Sequence, residues 1–304
     1  MTYVTARKSR LGQNELIMAE TKDALRRGDA AVKARTRALI VPREHGAWGL
    51  LIIPLFTGVA AGIGDAQRYW PMFVFILAAV SLFWLRTPVE SLLASGPMRA
   101  SSSQERRIAL IASSALAALA TACLITIMWG GNNLKLLSIG LAAAAAFAVQ
   151  TILRGLGRNV RMASQLVGAV GLTATAPAAY YLGTGRLDSR GLVLWLANWL
   201  FAWNQIHFVQ LRIHAARVCS FPQKLLRGKF FLCAQIVLLA TLILLAAQHL
   251  ASPLIVIAFL PVLVRGMRWF FIGQQPLDVK KLGWSEMRQG AAFGVLLMLA
   301  FIVR

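Results

Sequence analysis

Long apolar stretches follow one another from Trp48 to the end of the sequence, and they limit the possible folds more than any other feature. A helix needs about 17–25 mostly apolar residues to cross a hydrocarbon core of about 30 Å. Hydrophobic residues make up 58% of the chain and charged residues only 14%, too few to cover the surface of a soluble domain. We therefore predict an all-α integral membrane protein that forms a single helical bundle.

The apolar stretches predict about nine transmembrane helices, separated by short loops that carry Gly, Asn, Pro or Arg. Small residues are frequent in the third to fifth stretches, and they let neighbouring helices approach closely within lipid. The predicted spans are 46–63, 69–85, 108–129, 135–153, 162–183, 191–211, 230–249, 251–271 and 288–303.

Basic residues indicate the orientation of these helices, because Lys and Arg are retained in cytoplasmic loops. With the N-terminus inside, 27 of the 32 Lys and Arg residues lie in segments on the cytoplasmic side. We predict a cytoplasmic N-terminus and, with an odd number of spans, a C-terminus outside. The expected location is the bacterial cytoplasmic (inner) membrane, with a basic cytoplasmic segment at 1–44 and a nine-helix transmembrane domain at 45–304.

The net charge of +21 does not indicate a nucleic-acid partner. The basic residues are distributed over separate short loops, and no nucleic-acid recognition motif is present. Anionic lipid headgroups are the expected partners of such loops. The sequence does not indicate any protein partner.

The acidic residues argue against one class of membrane protein. All 11 Asp and Glu residues lie outside the predicted spans. Proton- and ion-coupled transporters usually keep a carboxylate within the membrane, because such a costly charge is retained for function. Its absence from the predicted spans disfavours a transporter or permease, although that class remains the alternative.

Three polar clusters at the predicted cytoplasmic face are candidates for a ligand-binding site. The first enters span one, the second follows span two, and the third ends span six, where helical spacing places several polar side chains on one face. A membrane anchor, a solvated loop and a network of interhelical hydrogen bonds are the respective structural alternatives. The candidate ligand-binding residues are Glu44, His45, Trp48, Arg86, Glu90, Asn204, Gln210, Arg212, His214 and Arg217, with His207 as a possible catalytic residue.

A metal site is not predicted. His207 and His214 are seven residues apart, too far along one helix to hold a single ion together. A metal or haem would need a further ligand from elsewhere, such as His45.

The entrance to span one resembles the opening signature of the YwiC-like family of bacterial membrane proteins. The matching residues run from Val41 to Leu55 and read VPREHGAWGLLIIPL. The segment Lys281–Glu286, before the last predicted span, is also similar to that family, and the resemblance covers residues 40–304. It implies a multi-pass membrane protein and does not imply a particular activity.

The predicted architecture also resembles the UbiA-type intramembrane prenyltransferases, in which nine helices carry polar clusters after spans two and six. Those enzymes hold an isoprenoid diphosphate through Mg²⁺ bound to Asp-rich motifs. The matching segments here, residues 79–85 and 204–210, contain no Asp. The cofactor is therefore unknown, and Mg²⁺ is not expected.

These observations favour a multi-pass membrane protein that binds a prenyl or lipid-like ligand in a cavity facing the cytoplasm. If the protein is an enzyme, the resemblance implies a UbiA-like group transfer without the usual magnesium motifs. In that reaction Arg86, Arg212 and Arg217 would hold the anionic head, and His207 would accept a proton. A non-catalytic membrane assembly subunit is a further alternative.

Overall fold

A computed structural model describes residues 30, 32–42, 45–66, 69–93, 98–131, 134–157, 160–216, 218, 220–273 and 277–303, with only the backbone of His45. These residues form eleven helices and no strand. The first, α1, covers 32–40. The others are α2 His45–Ile63, α3 Trp70–Leu92, α4 Ser103–Trp129, α5 Leu134–Gly155, α6 Arg161–Thr173, α7 Thr175–Thr184, α8 Ser189–His214, α9 Phe221–Ala247, α10 Leu254–Phe271 and α11 Val279–Ile302.

Within the described ranges, eight helical segments are long and apolar enough to cross a membrane. They correspond to α2, α3, α4, α5, the pair α6 and α7, α9, α10 and α11. The prediction of an all-α multi-span membrane protein is thereby confirmed. The remaining predicted span is α8, whose 26 residues are sufficient in length but include Asn198, Asn204, Gln205 and His207. That ninth crossing remains a prediction.

The predicted span 162–183 is interrupted at Ala174, where α6 ends and α7 begins. Pro177 accounts for the interruption, because it lacks the N–H that would donate to the carbonyl of Thr173 in a continuous helix. Both hydroxyls beside the break are satisfied locally: Thr173 donates to Ala169 O and Thr175 to Leu172 O, each over 2.8 Å. The break therefore leaves no hydroxyl of these two residues without a partner in the membrane interior.

The chain divides into two compact units. Unit 1 consists of Met1–Arg43 and Ser81–Leu119, and unit 2 of Glu44–Val80 and Ala120–Arg304. The predicted boundary between a tail at 1–44 and a domain at 45–304 is a separate, untested prediction.

Polar contacts connect the helices of unit 1. At the start of α4, Ser102 and Glu105 form a capping box, in which the Ser102 hydroxyl accepts from Glu105 N and the Glu105 carboxylate accepts from Ser102 N. Arg35 of α1 pairs with Glu105 over 2.5 Å. Trp84 of α3 donates its indole N–H to Ile40 O over 2.8 Å. These contacts join α1 to α3 and α4.

The core of unit 2 packs around α8. Phe201 of α8 stacks on Phe293 of α11 with ring centroids 4.0 Å apart, and Phe259 of α10 meets Phe293 edge-on. Asn198 of α8 donates to the hydroxyl of Thr57 in α2 over 3.0 Å, and both residues are buried. This hydrogen bond satisfies polar groups that would otherwise face an apolar interior.

Glycines let α2 and α7 pack backbone to backbone. A Cβ added to Gly58 would lie 2.3 Å from Ala176 O, and one added to Gly62 would lie 3.0 Å from Tyr180 O. A Cβ added to Gly183 of α7 would also lie too close to the carbonyl of Gly62. Small residues provide this kind of close contact where lipid supplies no hydrophobic drive for helix association.

We predict that Gly58→Ala destabilises the protein by about 1–3 kcal/mol, the usual cost of overpacking a tight interior, because the new methyl group meets backbone that cannot move aside. The matched control is Gly140→Ala in α5, where an added Cβ meets nothing within 4 Å. Thermal unfolding of the purified full-length protein in detergent measures both. Equal melting temperatures for the two variants would contradict the close α2–α7 contact.

Candidate ligand-binding site on helix α8

Helix α8 presents two different polar faces to its neighbours in unit 2. His207, Gln210, Leu211 and His214 recur at helical spacing and line a cavity. Gln205, Phe208 and Arg212 recur at the same spacing on another face and meet α10 and α11. The two faces meet different sets of charges.

The cavity has a volume of about 500 Å³ and lies between α6, α8 and α9. Two guanidinium groups line it, from Arg161 of α6 and Arg227 of α9, together with the imidazoles of His207 and His214 of α8. Its apolar walls come from Met162, Leu211, Ile213, Phe230 and Phe231. A cavity with cationic groups and apolar walls is suited to an amphipathic ligand with an anionic head.

Hydrogen bonds fix the wall of the cavity. Gln210 donates its amide to Gln165 Oε1 of α6 over 3.0 Å, which ties α8 to α6. His214 Nδ1 lies 2.7 Å from Gln210 O, and a proton assigned to this nitrogen would donate to that carbonyl. The opposite ring nitrogen of His214 would then be the acceptor in the neutral form.

His207 lies deeper on the same face. Its ring meets Phe231 edge-on, with centroids 5.3 Å apart. Its Nδ1 is buried and has no hydrogen-bond partner among the described residues. A buried imidazole nitrogen without a partner is costly, and a ligand or an ordered water in the cavity would satisfy it.

The second face of α8 meets an ion pair inside the bundle. Arg265 of α10 pairs through Nη1 with Glu286 Oε1 of α11, and the two side chains are 11% and 10% exposed. The Arg265 guanidinium lies 4.2 Å from the centre of the Phe208 ring, a cation–π contact. Gln205 donates to the backbone carbonyl of Glu286 over 3.0 Å.

Arg212 adds a second positive charge near this pair. Arg212 is partly buried, and its guanidinium is attracted to the Glu286 carboxylate. Arg212 remains cationic in a protein. The ion-pair face of α8 therefore places two guanidinium groups around one carboxylate.

Glu286 lies in a helix that begins earlier than the last predicted span. It is the eighth residue of α11, one of the eight segments that are long and apolar enough to cross a membrane, and it is buried. The predicted span begins at 288, but Asp278 starts the helix earlier by accepting from Lys280 N and Lys281 N. The position of the acidic residues outside the membrane-crossing part of each helix remains a prediction.

The remaining candidate residues are not among those that line the cavity, or they fall outside the described residues. Asn204 is buried and donates to Gln235 Oε1 over 2.9 Å. Arg86 pairs with Glu90 over 2.8 Å within α3, in unit 1. Trp48 lies half-buried on α2. Glu44, Arg217 and the side chain of His45 are not described, and the proposed roles of all these residues remain predictions.

Sequence reasoning missed two of the cavity's charged residues. Arg161 and Arg227 are among the 27 basic residues that the sequence places on the cytoplasmic side, and each lies near the first turns of its helix, α6 or α9. Their proximity to α8 depends on helix packing, which periodicity within one helix does not reveal. Among the described residues, no group of three His, Cys, Asp or Glu side chains could hold a metal ion.

The fold and this site define an all-α, multi-span integral membrane protein with a cationic, apolar-walled cavity. Residues 41–180 match the family model of YwiC-like protein, which confirms the predicted YwiC-like resemblance over that stretch. No curated protein matches the sequence. The matched stretch includes two residues of the cavity, Arg161 and Met162. The cavity residues on α8 and α9 lie beyond the matched stretch.

We predict that Arg265→Gln or Glu286→Gln alone destabilises the protein by about 3–5 kcal/mol, because either change leaves the partner charge buried and unpaired. The double variant should recover most of this loss, so the two effects will not add. The control is Lys281→Gln, which removes an exposed pair with Asp278 and should cost less than about 0.5 kcal/mol. Thermal unfolding of the four variants measures the coupling, and additive losses would contradict a buried pair.

Proposed function

We propose that the cavity on α8 binds the head of a prenyl or lipid-like anionic ligand. The observation that carries the proposal is the meeting of Arg161, Arg227, His207 and His214 with apolar walls in one cavity. A soluble anion would need only the charged groups, whereas the Phe and Met walls favour an attached hydrocarbon chain. The guanidinium groups would neutralise the head directly.

The proposal places the cavity at the cytoplasmic side of the membrane. The lining residues come from the end of α8 and the beginnings of α6 and α9, which are joined to the basic segments 154–161 and 212–229. The distribution of Lys and Arg favours a cytoplasmic location for those segments. A ligand could then be exchanged with the inner leaflet of the bacterial cytoplasmic membrane.

A finer form of the proposal is a UbiA-like group transfer on a UbiA-like bundle. His207 would accept a proton from the attacking group, since its Nδ1 is buried beside the cavity and lacks a partner among the described residues. Arg161 and Arg227 would take the part that Arg86, Arg212 and Arg217 were expected to play. The leaving phosphate would then be stabilised by guanidinium groups in place of Mg²⁺.

We expect His207→Leu/Gln210→Leu to weaken binding of a fluorescent phosphatidate by roughly 10–30-fold, because two polar groups lining the cavity are lost at about 1 kcal/mol each. The control is Gln289→Leu, whose Oε1 is buried without a hydrogen-bond partner among the described residues and does not line the cavity. Titration of purified full-length protein in detergent gives the affinities, with farnesyl phosphate as a prenyl competitor. Unchanged affinity in a folded double variant would remove the cavity from the binding site.

A transporter is the second candidate, and the buried Arg265–Glu286 pair favours it. A carboxylate paired with a guanidinium inside a membrane bundle is a common arrangement for coupling ion movement to a conformational change. Glu286 Oε2 and Arg265 Nη2 are buried without hydrogen-bond partners among the described residues, so the pair has unused bonding capacity. These two atoms could engage a proton, water or substrate during transport.

Proteoliposomes loaded with a pH-sensitive dye separate the two candidates. A binding protein or enzyme should show no proton flux above that of empty vesicles when a membrane potential is applied. A flux that Glu286→Gln abolishes and His207→Leu leaves intact would favour the transporter and contradict the leading proposal.

A further inference from the structure

We infer that the α8 cavity selects lipids whose head is a phosphate group without an ammonium, and that the lipid chain leaves the protein sideways past Ile213 and Phe230. This inference rests on the proposed function and adds to it the class of head and the path of the chain. Three observations carry it: the charges that line the cavity, the exposure of its outer wall and its volume.

The lining charges all have one sign. Arg161 and Arg227 are permanent cations, and the two histidines add neutral or positive groups. The described lining residues include no carboxylate that could bind an ammonium group. A zwitterionic head such as phosphatidylethanolamine would therefore bring its ammonium close to these cations without a carboxylate partner, and like charges repel. A phosphate monoester has no ammonium that needs a partner, and its oxygens can accept hydrogen bonds from both guanidinium groups.

The outer wall of the cavity is thin and apolar. Phe230 lines the cavity and is 70% exposed on the outer surface of unit 2, while its neighbour Phe231 is 1% exposed. Ile213 of α8 also lines the cavity and is 48% exposed. Large exposed apolar side chains on a membrane protein face lipid. The hydrocarbon region therefore lies next to the cavity at these two residues.

The positions along α9 place this wall just below the headgroups. Arg227 precedes Phe230 by three residues, so it lies about 4.5 Å nearer the helix start, at about 1.5 Å per residue. Lys229 lies over the Phe230 ring at 5.2 Å and adds another cation at the outer edge. A lipid could thus keep its phosphate at the level of Arg227 while its chain passes Phe230.

The volume indicates that a long chain cannot be enclosed. The cavity volume of about 500 Å³ lies within the range of about 300–1,000 Å³ for sites that bury a drug-sized ligand. A lipid with long acyl chains is larger than such a ligand. The remainder of a longer prenyl or acyl chain must lie in the bilayer, as an opening at Ile213 and Phe230 would allow.

Head selection is tested by displacing the fluorescent phosphatidate from full-length protein in detergent. The competitors are dioleoyl phosphatidate, dioleoyl phosphatidylethanolamine, dioleoylglycerol and inorganic phosphate. We expect phosphatidate to compete at least tenfold better than each of the others, about 1.4 kcal/mol. Equal competition by dioleoyl phosphatidylethanolamine would overturn the inferred head and leave the proposed function standing, whereas equal competition by dioleoylglycerol would overturn both. Equal competition by inorganic phosphate would identify a site for the free anion and would overturn the inference that the ligand is a lipid.

A charge-matched pair of variants ties this preference to the cavity. Arg161→Gln/Arg227→Gln should reduce the affinity for phosphatidate to that for dioleoylglycerol. Lys280→Gln/Lys281→Gln removes two cations outside the cavity and should keep the preference for phosphatidate. A melting temperature equal to that of the unmodified protein establishes that the first variant folds. If no lipid displaces the probe from the unmodified protein, both the proposed function and this inference are wrong.

The path of the chain is tested separately with a phosphatidate that carries a photoreactive diazirine on one acyl chain, close to its glycerol ester. Crosslinks mapped by mass spectrometry should fall on the peptides that contain Ile213 and Phe230, and excess phosphatidate should suppress them. Crosslinks on other helices, or crosslinks that persist in Arg161→Gln/Arg227→Gln, would overturn the sideways path.

Discussion

The rest of the structure depends on how a polar helix is accommodated in an apolar bundle. In lipid, every polar group must find its partner within the protein. Helix α8 meets this requirement on several sides: Asn198 with Thr57, Gln205 with the backbone of Glu286, and Gln210 with Gln165. Each bond fixes a neighbouring helix against α8. The cavity forms beside His207, whose buried nitrogen has no partner among the described residues.

The sequence predicts much of this arrangement, because the period of a helix is a local property. Apolar runs of sufficient length identify the membrane-crossing segments, and spacing alone places His207, Gln210 and His214 on one side of α8. The partners on other helices are not predictable in the same way. Arg161 and Arg227 reach the cavity through the packing of α6 and α9. A single sequence contains no signal for that packing beyond the general preference of Arg for cytoplasmic ends.

A small shift in a helix boundary changes the surroundings of one acidic residue. Hydropathy begins the last predicted span at 288, because Lys280, Lys281 and Glu286 lower the local average. The helix nevertheless begins at Val279, capped by Asp278. Glu286 is then two turns inside and is neutralised by Arg265, a residue that hydropathy also counts as unfavourable. Either charge alone would be costly inside the bundle, and the pairing of the two explains how both are retained there.

The glycine contact between α2 and α7 has a consequence for the synthesis of the protein. Gly58 meets Ala176 through backbone atoms, yet the two residues are about 120 positions apart in the chain. At a translation rate of roughly 5–20 residues per second, the ribosome needs about 6–24 s to make the second helix after the first. During that interval α2 resides in the membrane with its glycine surface uncovered. The order of helix insertion, as well as the final packing, therefore determines when unit 2 can assemble.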